Sequence, residues 1–404
     1  MKQSIFYILF LVSILFLSCS SNPDKGKTDR EKMDEAQLNT NSQQGIPQST
    51  SEIFPTEKAN FYAHYRGTIN NNIPIHLNLV RTGDKISGYY YYDKFQIPIK
   101  LSSGKLDEAT GKFSFIEYTP TQERSGSVVA QFQGKKISGN WMDADSSQQF
   151  PLELVQSMDA YSLPMDVFHE EDISALLKGK TETPTITFIR TVLMPNSNYG
   201  GSEKEQIYKI FESFLGDDTS VISGNPYATI EKMKTVSVND YRESNLELYQ
   251  EDPDMFEASM NWSEVAHILP MYNDNDLLSI RQEWYSYTGG AHGNFGASNY
   301  AINLKTGKKI KLEDLFLEKS QNELSDIIEQ KILEQQRKFI GERASLQDAG
   351  FFVEQIKPTE NFYLTKKGIG FYYSPYEIGP YVMGAIEVFV PFSDCKHLMK
   401  KDFL

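Results

Sequence analysis

Cysteine is scarce in this 404-residue chain, which has only Cys19 and Cys395. A framework of several disulfides is therefore excluded, and no zinc-type spacing of Cys and His occurs. The six histidines, His64, His76, His169, His267, His292 and His397, are scattered, with no His-Glu-x-x-His and no pair at helical ligand spacing. Only a site built from His267, His292 and a carboxylate is conceivable, and the reading carries no metal and no cofactor. There is no Gly-x-Ser-x-Gly elbow, and Gly289-Gly290 lacks the Lys-Ser/Thr of a phosphate loop. Positive charge is outnumbered: 40 Lys and Arg face 54 Asp and Glu, a net charge of −14. That balance disfavours nucleic acid, which needs a basic footprint. It favours cationic partners through long-range attraction, and it also serves solubility. No apolar run reaches the about 20 residues that a membrane-spanning helix needs.

The longest apolar run, Ile5 to Leu17, follows the single charge Lys2 and suits a secretory signal. Phe16-Leu17-Ser18-Cys19 resembles a bacterial lipoprotein cleavage site, with Phe16 where an aliphatic residue is usual. The expectation is a signal peptide over 1–18 and a lipid on Cys19. Residues 19–58 are rich in Ser, Asn, Gln, Thr, Asp and Lys and read as a flexible tether. This predicts a lipid-anchored protein of the bacterial cell envelope, periplasmic or surface-exposed.

Two folded regions are expected, giving an α+β chain with an N-terminal all-β barrel or sandwich. Over 59–157, short alternating runs are broken by turn signals such as Thr82-Gly83-Asp84 and Thr110-Gly111. Lys85-Ile-Ser-Gly88 is echoed by Lys136-Ile-Ser-Gly139, and each is followed two residues on by an aromatic, Tyr90 and Trp141. This spacing predicts two similar hairpins. Tyr89–Tyr92 is a run of four tyrosines, which a strand divides between its two faces. One pair is expected to face the core and the other solvent or a ligand.

Over 158–404, strands and helices mix without regular βαβ alternation, which predicts an α+β domain with a mainly antiparallel sheet and helices on one face. Pro184–Met194 reads as a strand. Ser202 to Glu205 and Ser320 to Glu323 carry capping-box signatures before helices. Two further helices are expected in Pro226–Lys234 and Val238–Gln250. A hairpin of strands Glu257–Tyr272 and Leu277–Tyr287 is expected to turn at Asn273-Asp-Asn-Asp276, and strands near Phe362–Thr365, Gly368–Tyr373 and Ile386–Pro391 close the chain.

The centre of this region is Glu283–Phe316. Leu278, Ile280, Gln282 and Trp284 alternate with Arg281, Glu283, Tyr285 and Tyr287, a strand period. Gly289, Gly290 and Gly293 then frame His292 in a turn that positive φ would relax. A structural crossover and a recognition loop both fit this pattern. Glu377, within Tyr376-Glu-Ile-Gly-Pro-Tyr381, is a carboxylate among tyrosines, suited either to shaping a turn or to a cationic or sugar ligand.

Tyr-x-Tyr-Thr-Gly-Gly-Ala-His-Gly and the following Asn-Leu-Lys-Thr-Gly-Lys-x-Ile-x-Leu-Glu-Asp-Leu-Phe, with the second motif Gly368–Tyr381, resemble one known family. It is the extracytoplasmic domain of the lysozyme-sensing anti-sigma factors, shared with the N-terminal region of some peptidoglycan deacetylases. The resemblance covers about 160–395. It implies contact with a lysozyme-like protein or peptidoglycan through Tyr287, Gly289, Gly290, His292, Tyr376, Glu377 and Tyr381. It leads to a non-catalytic binding or sensing lipoprotein. The alternatives are a glycan or wall hydrolase using His292 with Glu283 or Glu377, and a structural subunit of an envelope complex.

Overall fold

The computed structural model describes residues 59–401 except 120–122, 158–161, 198, 217–223, 253–257 and 342–344. The expected signal peptide, Cys19 and the expected tether lie outside the described residues. So does the start of the strand expected from Glu257.

The first region is a closed antiparallel barrel. Its strands are β1 (Asn60–Ile69), β2 (Ile73–Thr82), β3 (Lys85–Tyr92), β4 (Ile99–Lys100), β5 (Ser102–Asp107), β6 (Lys112–Tyr118), β7 (Arg124–Gln133), β8 (Lys136–Asp143) and β9 (Gln149–Gln156). Pairing of β1 with β9 and of β2 with β3 closes an eight-strand ring, and β4 adds a short extra pairing to β3. Closure removes the free edges that an open sheet would expose. The interior is filled by side chains including Leu77, Phe113, Phe115, Val128 and Leu154. An apolar cavity of about 10 Å³ lies among them, roughly the smallest space that holds one water. The two Lys-Ile-Ser-Gly echoes open β3 and β8, and their aromatics converge. Tyr90 Oη and Trp141 Nε1 both donate to the buried carboxylate of Glu117, Trp141 at 2.9 Å.

The second region holds a six-stranded sheet in chain order: β10 (Met165–Ala175), β11 (Thr185–Pro195), β12 (Trp262–Asp274), β13 (Leu277–Tyr287), β14 (Asn294–Asn303) and β15 (Lys308–Lys309). All pairs are antiparallel except β11–β12. A parallel pair needs a long crossover, and here it is made by α1 (Lys204–Glu212) and α2 (Pro226–Glu251). The two helices expected in 226–250 are one helix of 26 residues, because Thr235–Ser237 carries no breaker. Asn225 caps it, accepting from Tyr227 N and Ala228 N. Neither expected capping box forms. Glu203 stands at the start of α1 without a side-chain capping bond, accepting only from the Ser202 hydroxyl, and the Ser320 hydroxyl donates to Leu317 O instead. The β12–β13 turn is two residues, Asn275 and Asp276, both at positive φ, the geometry favoured in hairpins.

A single helical turn, α3 (Leu312–Leu315), leads to α4 (Gln321–Ile340). The helix packs on a separate three-stranded sheet of β16 (Phe362–Thr365), β17 (Gly368–Tyr373) and β18 (Ile386–Pro391). Thus α1 and α2 lie against the large sheet, whereas α4 covers the small one. Among the described residues no helix is long and apolar enough to cross a membrane.

The tyrosine run shows how the regions join. Tyr90 lies in the barrel core and Tyr92 packs against it. Tyr89 and Tyr91 point outwards, but solvent does not reach them. Tyr91 stacks between His76 and Tyr272, at 4.9 and 5.3 Å. Tyr89 donates to Glu283 at 2.7 Å. The outer pair is therefore covered by the chain's own second region, and Tyr62, Val80 and Tyr89 join the core of the large sheet. Nearby, Arg66 meets Asp274 at 2.6 Å and Asn78 donates to Met271 O.

Arg281, on β13, ties all three sheets together. It donates to Glu387 on β18 at 2.6 Å, to Asn299 on β14 at 2.8 Å and to Tyr89 on β3 at 3.5 Å. The rings of Tyr89, Tyr363 and Tyr372 surround its guanidinium at 5.1 to 5.8 Å. Burial opposes its charge, but Glu387, Tyr89 and Glu283 outweigh burial and keep it ionised. Asn299 passes the network to Asn361, which also donates to Ala297 O and accepts from Asn299 N. Its side-chain amide thus fills ladder positions on the outer edge of β14.

Two outcomes follow from this seam. Arg281→Ala strands Glu387 and should cost about 3–5 kcal/mol in urea unfolding; a loss below about 1 kcal/mol would mean that the network is not formed. Burial also opposes ionisation of Glu283, but Lys100, Arg281 and Tyr89 hold its carboxyl down from 4.5 to about 2. Its stabilisation is complete above about pH 4.5 and is lost as pH falls towards about 2. Glu283→Gln should therefore be less stable at neutral pH and lose stability less steeply over that window, as measured by urea titrations at successive pH values.

Candidate functional site

The strand period at β13 decides which side chains can reach the loop that follows it. Leu278, Ile280 and Gln282 face the helices, and Gln282 donates to Phe214 O. Ser279, Arg281, Glu283, Tyr285 and Tyr287 face the other way. On that side the Gly-Gly-Ala-His-Gly loop meets the turn after β17. Phe295, opposite Tyr285 in register, shares the face.

The loop takes the backbone that its glycines allow. Gly289 and Gly290 have φ of +92° and +91°, values a side chain would resist. The Tyr287 hydroxyl donates to Gly290 O at 3.0 Å and pins the turn. A Cβ on Gly293 would lie 2.5 Å from the Tyr285 hydroxyl, so this position is reserved for glycine by the ring beside it.

His292 is exposed and lies flat on Tyr381, with ring centroids 4.1 Å apart and 22° between planes. Its Nδ1 stands 3.0 Å from Gly293 O, so Nδ1 carries the hydrogen and donates. Nε2 makes no hydrogen bond among the described residues. The same carbonyl accepts from Tyr381 Oη at 2.7 Å. One backbone oxygen thus joins the two motifs that the sequence separates by almost ninety residues. Phe295 meets the Tyr381 ring edge-on at 5.9 Å, and Tyr376 lies 5.4 Å from it. Tyr376 is a non-glycine residue at φ +69° and is 55% exposed. Burial first, then the hydroxyls of Tyr285 and Tyr376, push the Tyr381 phenol up, so it stays neutral.

All seven predicted rim residues therefore fall in one neighbourhood, with differing parts. His292, Tyr376 and Tyr381 form its aromatic surface. Tyr287, Gly289 and Gly290 shape the loop. Glu377 is exposed, and its carboxylate accepts from Ser374 N at 2.8 Å, closing its own turn. Sequence reasoning missed Tyr285 and Phe295, whose cross-strand pairing was the available signal. It also missed Val382, 66% exposed beside Tyr381.

Other candidates lie elsewhere. Glu283 is committed to Tyr89 and to Lys100 at 2.6 Å. His267 shares the Thr191 hydroxyl with His169, at 2.9 and 3.0 Å. Burial holds its imidazole down to about 4, despite the nearby Glu283. His267 and His292 do not share a site. Among the described residues, no group of three or more His, Cys, Asp or Glu could hold a metal. Cys395 is buried, and burial pushes its thiol up to about 11. Chemically, the rim offers flat apolar rings, phenol hydroxyls and one imidazole on an open surface. It shows no nucleophile paired with a base.

The fold and site define an α+β module with an exposed aromatic rim, packed against a closed barrel. Residues 313–393 match the family model described as Protein of unknown function (DUF3298). A DUF3298 family member from Bacteroides fragilis is similar in structure, with 26% identity and a TM-score of 0.54. The match covers 60% of this chain and 96% of that one, so about two-fifths of this chain falls outside it. A DUF3298 family protein from Pseudomonas aeruginosa PAO1 matches with 16% identity and a TM-score of 0.43, again over 60% of this chain and 96% of that one. Comparison with curated proteins gave no match. The family model and the Bacteroides fragilis structure are consistent with a domain family of unknown function over this part of the chain.

Removing the Tyr381 hydroxyl tests the shared carbonyl. Tyr381→Phe should lower the unfolding free energy by about 1 kcal/mol, with an unchanged denaturant slope. No loss would show that the two motifs are not joined through Gly293 O.

Proposed function

We propose that this chain is a non-catalytic lipoprotein of the cell envelope that binds a wall-related ligand, a lysozyme-like protein or peptidoglycan, at the His292–Tyr381 rim. The observation that carries this reading is the exposed His292 stacked on Tyr381, with Tyr376 beside it. Rigid aromatic rings bury much apolar area at low entropic cost and keep a polar tip for hydrogen bonds. The loop holding them is pinned by side-chain bonds to its carbonyls at Gly290 and Gly293, so little ordering is needed on binding. The net charge of −14 attracts a cationic partner over distance. Lipid on Cys19 and the tether over 19–58 would hold the folded part at a membrane while leaving the rim free.

Immobilised protein should retain lysozyme or purified wall sacculi at low salt. Tyr381→Ala and His292→Ala should each weaken retention about tenfold, an effect of about 1.4 kcal/mol. Retention of neither ligand at low salt would remove both. Cys19→Ser should release the protein from the membrane fraction of expressing cells.

A further inference from the structure

A second surface lies away from the rim, at one end of the barrel. Three connections meet there: the β1–β2 turn, the β3–β4 connection and the β16–β17 turn. Asp93 N donates to Pro74 O at 2.9 Å, placing the β3–β4 connection beside Ile73. Lys367 Nζ donates to Asp93 O at 2.7 Å and Lys94 O at 3.1 Å, fastening the β16–β17 turn to the same place.

The β3–β4 connection inverts the usual burial order. Gln96 is buried, at φ +55°, with its N–H bonded to Tyr92 O and its amide to Asp93 Oδ1. Phe95 and Ile97 on either side point out, 55% and 37% exposed, and Ile73 is 40% exposed. A polar side chain buried between two exposed apolar ones is unfavourable for an isolated molecule in water. The exposed residues are accompanied by lysines. Lys94 Nζ lies 4.9 Å over the Phe95 ring, and Lys366 is exposed on the adjoining turn. Among the described residues, neither Lys94 nor Lys366 forms an ion pair. Asp93 lies beside them half exposed, accepting from Gln96 and standing 3.8 Å from His76, whereas Asp274 pairs with Arg66. A chain of net charge −14 thus gathers exposed lysines around exposed Phe and Ile at this tip.

We propose that this tip docks on an anionic lipid surface, with Phe95, Ile97 and Ile73 entering the headgroup boundary and Lys94 and Lys366 meeting lipid phosphates. Apolar tips flanked by lysines bind such surfaces through both effects together. The contact would fix which way the folded unit faces a membrane. It does not depend on lipid at Cys19 or on the rim having a ligand.

The test is vesicle co-sedimentation of the compact unit Phe54–Leu404, which contains every core described above. The unit should sediment with vesicles containing phosphatidylglycerol at low salt, less as salt rises, and weakly with phosphatidylcholine alone. Phe95→Ser, and separately Lys94→Glu with Lys366→Glu, should each lower the bound fraction at least fivefold without shifting the melting temperature. Ile173→Ser, at an exposed site on β10, and Tyr381→Ala should leave it unchanged. No sedimentation with anionic vesicles at low salt, equal binding to neutral vesicles, or binding unmoved by both tip variants would overturn the proposal.

Discussion

The buried guanidinium of Arg281 is the constraint from which the rest of the architecture follows. It touches the barrel at Tyr89, the large sheet at Asn299 and the small sheet at Glu387. A charge in that position is tolerable only if every partner is present at once. The three sheets must therefore dock in one register, and β13 is fixed between them. Because β13 leads straight into the glycine loop, the same constraint sets where His292 can lie. The rim is rigid because the strand beneath it is anchored by charge as well as by packing.

Much of this fold was legible in local pattern. The closing strands at 362–365, 368–373 and 386–391 stand where alternation and turn residues placed them. The barrel followed from evenly spaced short strands, and the strand period at β13 assigned its two faces correctly. Features needing a partner were less legible. One pair of the tyrosine run was expected to face solvent or a ligand, because a strand's period says that two tyrosines leave the core but not what covers them. Helix α2 was read as two pieces because its buried positions, such as Thr229, Val238, Tyr241 and Asn245, are sparse and mixed in polarity. The capping boxes failed because a spacing of Ser and Glu describes a permitted bond, and the Ser320 hydroxyl found a nearer carbonyl.

The site shows the same division. Each of its two motifs stood out alone, through glycine around His292 and through tyrosine and proline around Glu377. No local signal says that they share an acceptor at Gly293 O. Glu283 looked like a partner for His292 in sequence, yet strand alternation sends it towards the barrel, where Lys100 and Tyr89 take it. Phe95 and Ile97 could not be recognised as a tip either. In sequence they are merely two apolar residues near the end of a tyrosine strand.

Asn361 limits how anything can approach this molecule. Its amide occupies the hydrogen-bonding positions of Ala297 and Asn299 on the open side of β14, and the neighbouring Gly293 oxygen is already used twice. A visiting peptide therefore finds these main-chain positions beside the rim already taken. Selectivity at that border must come from ring faces and hydroxyls, which are sensitive to shape and chemistry. The same plug blocks edge-to-edge pairing along this part of β14.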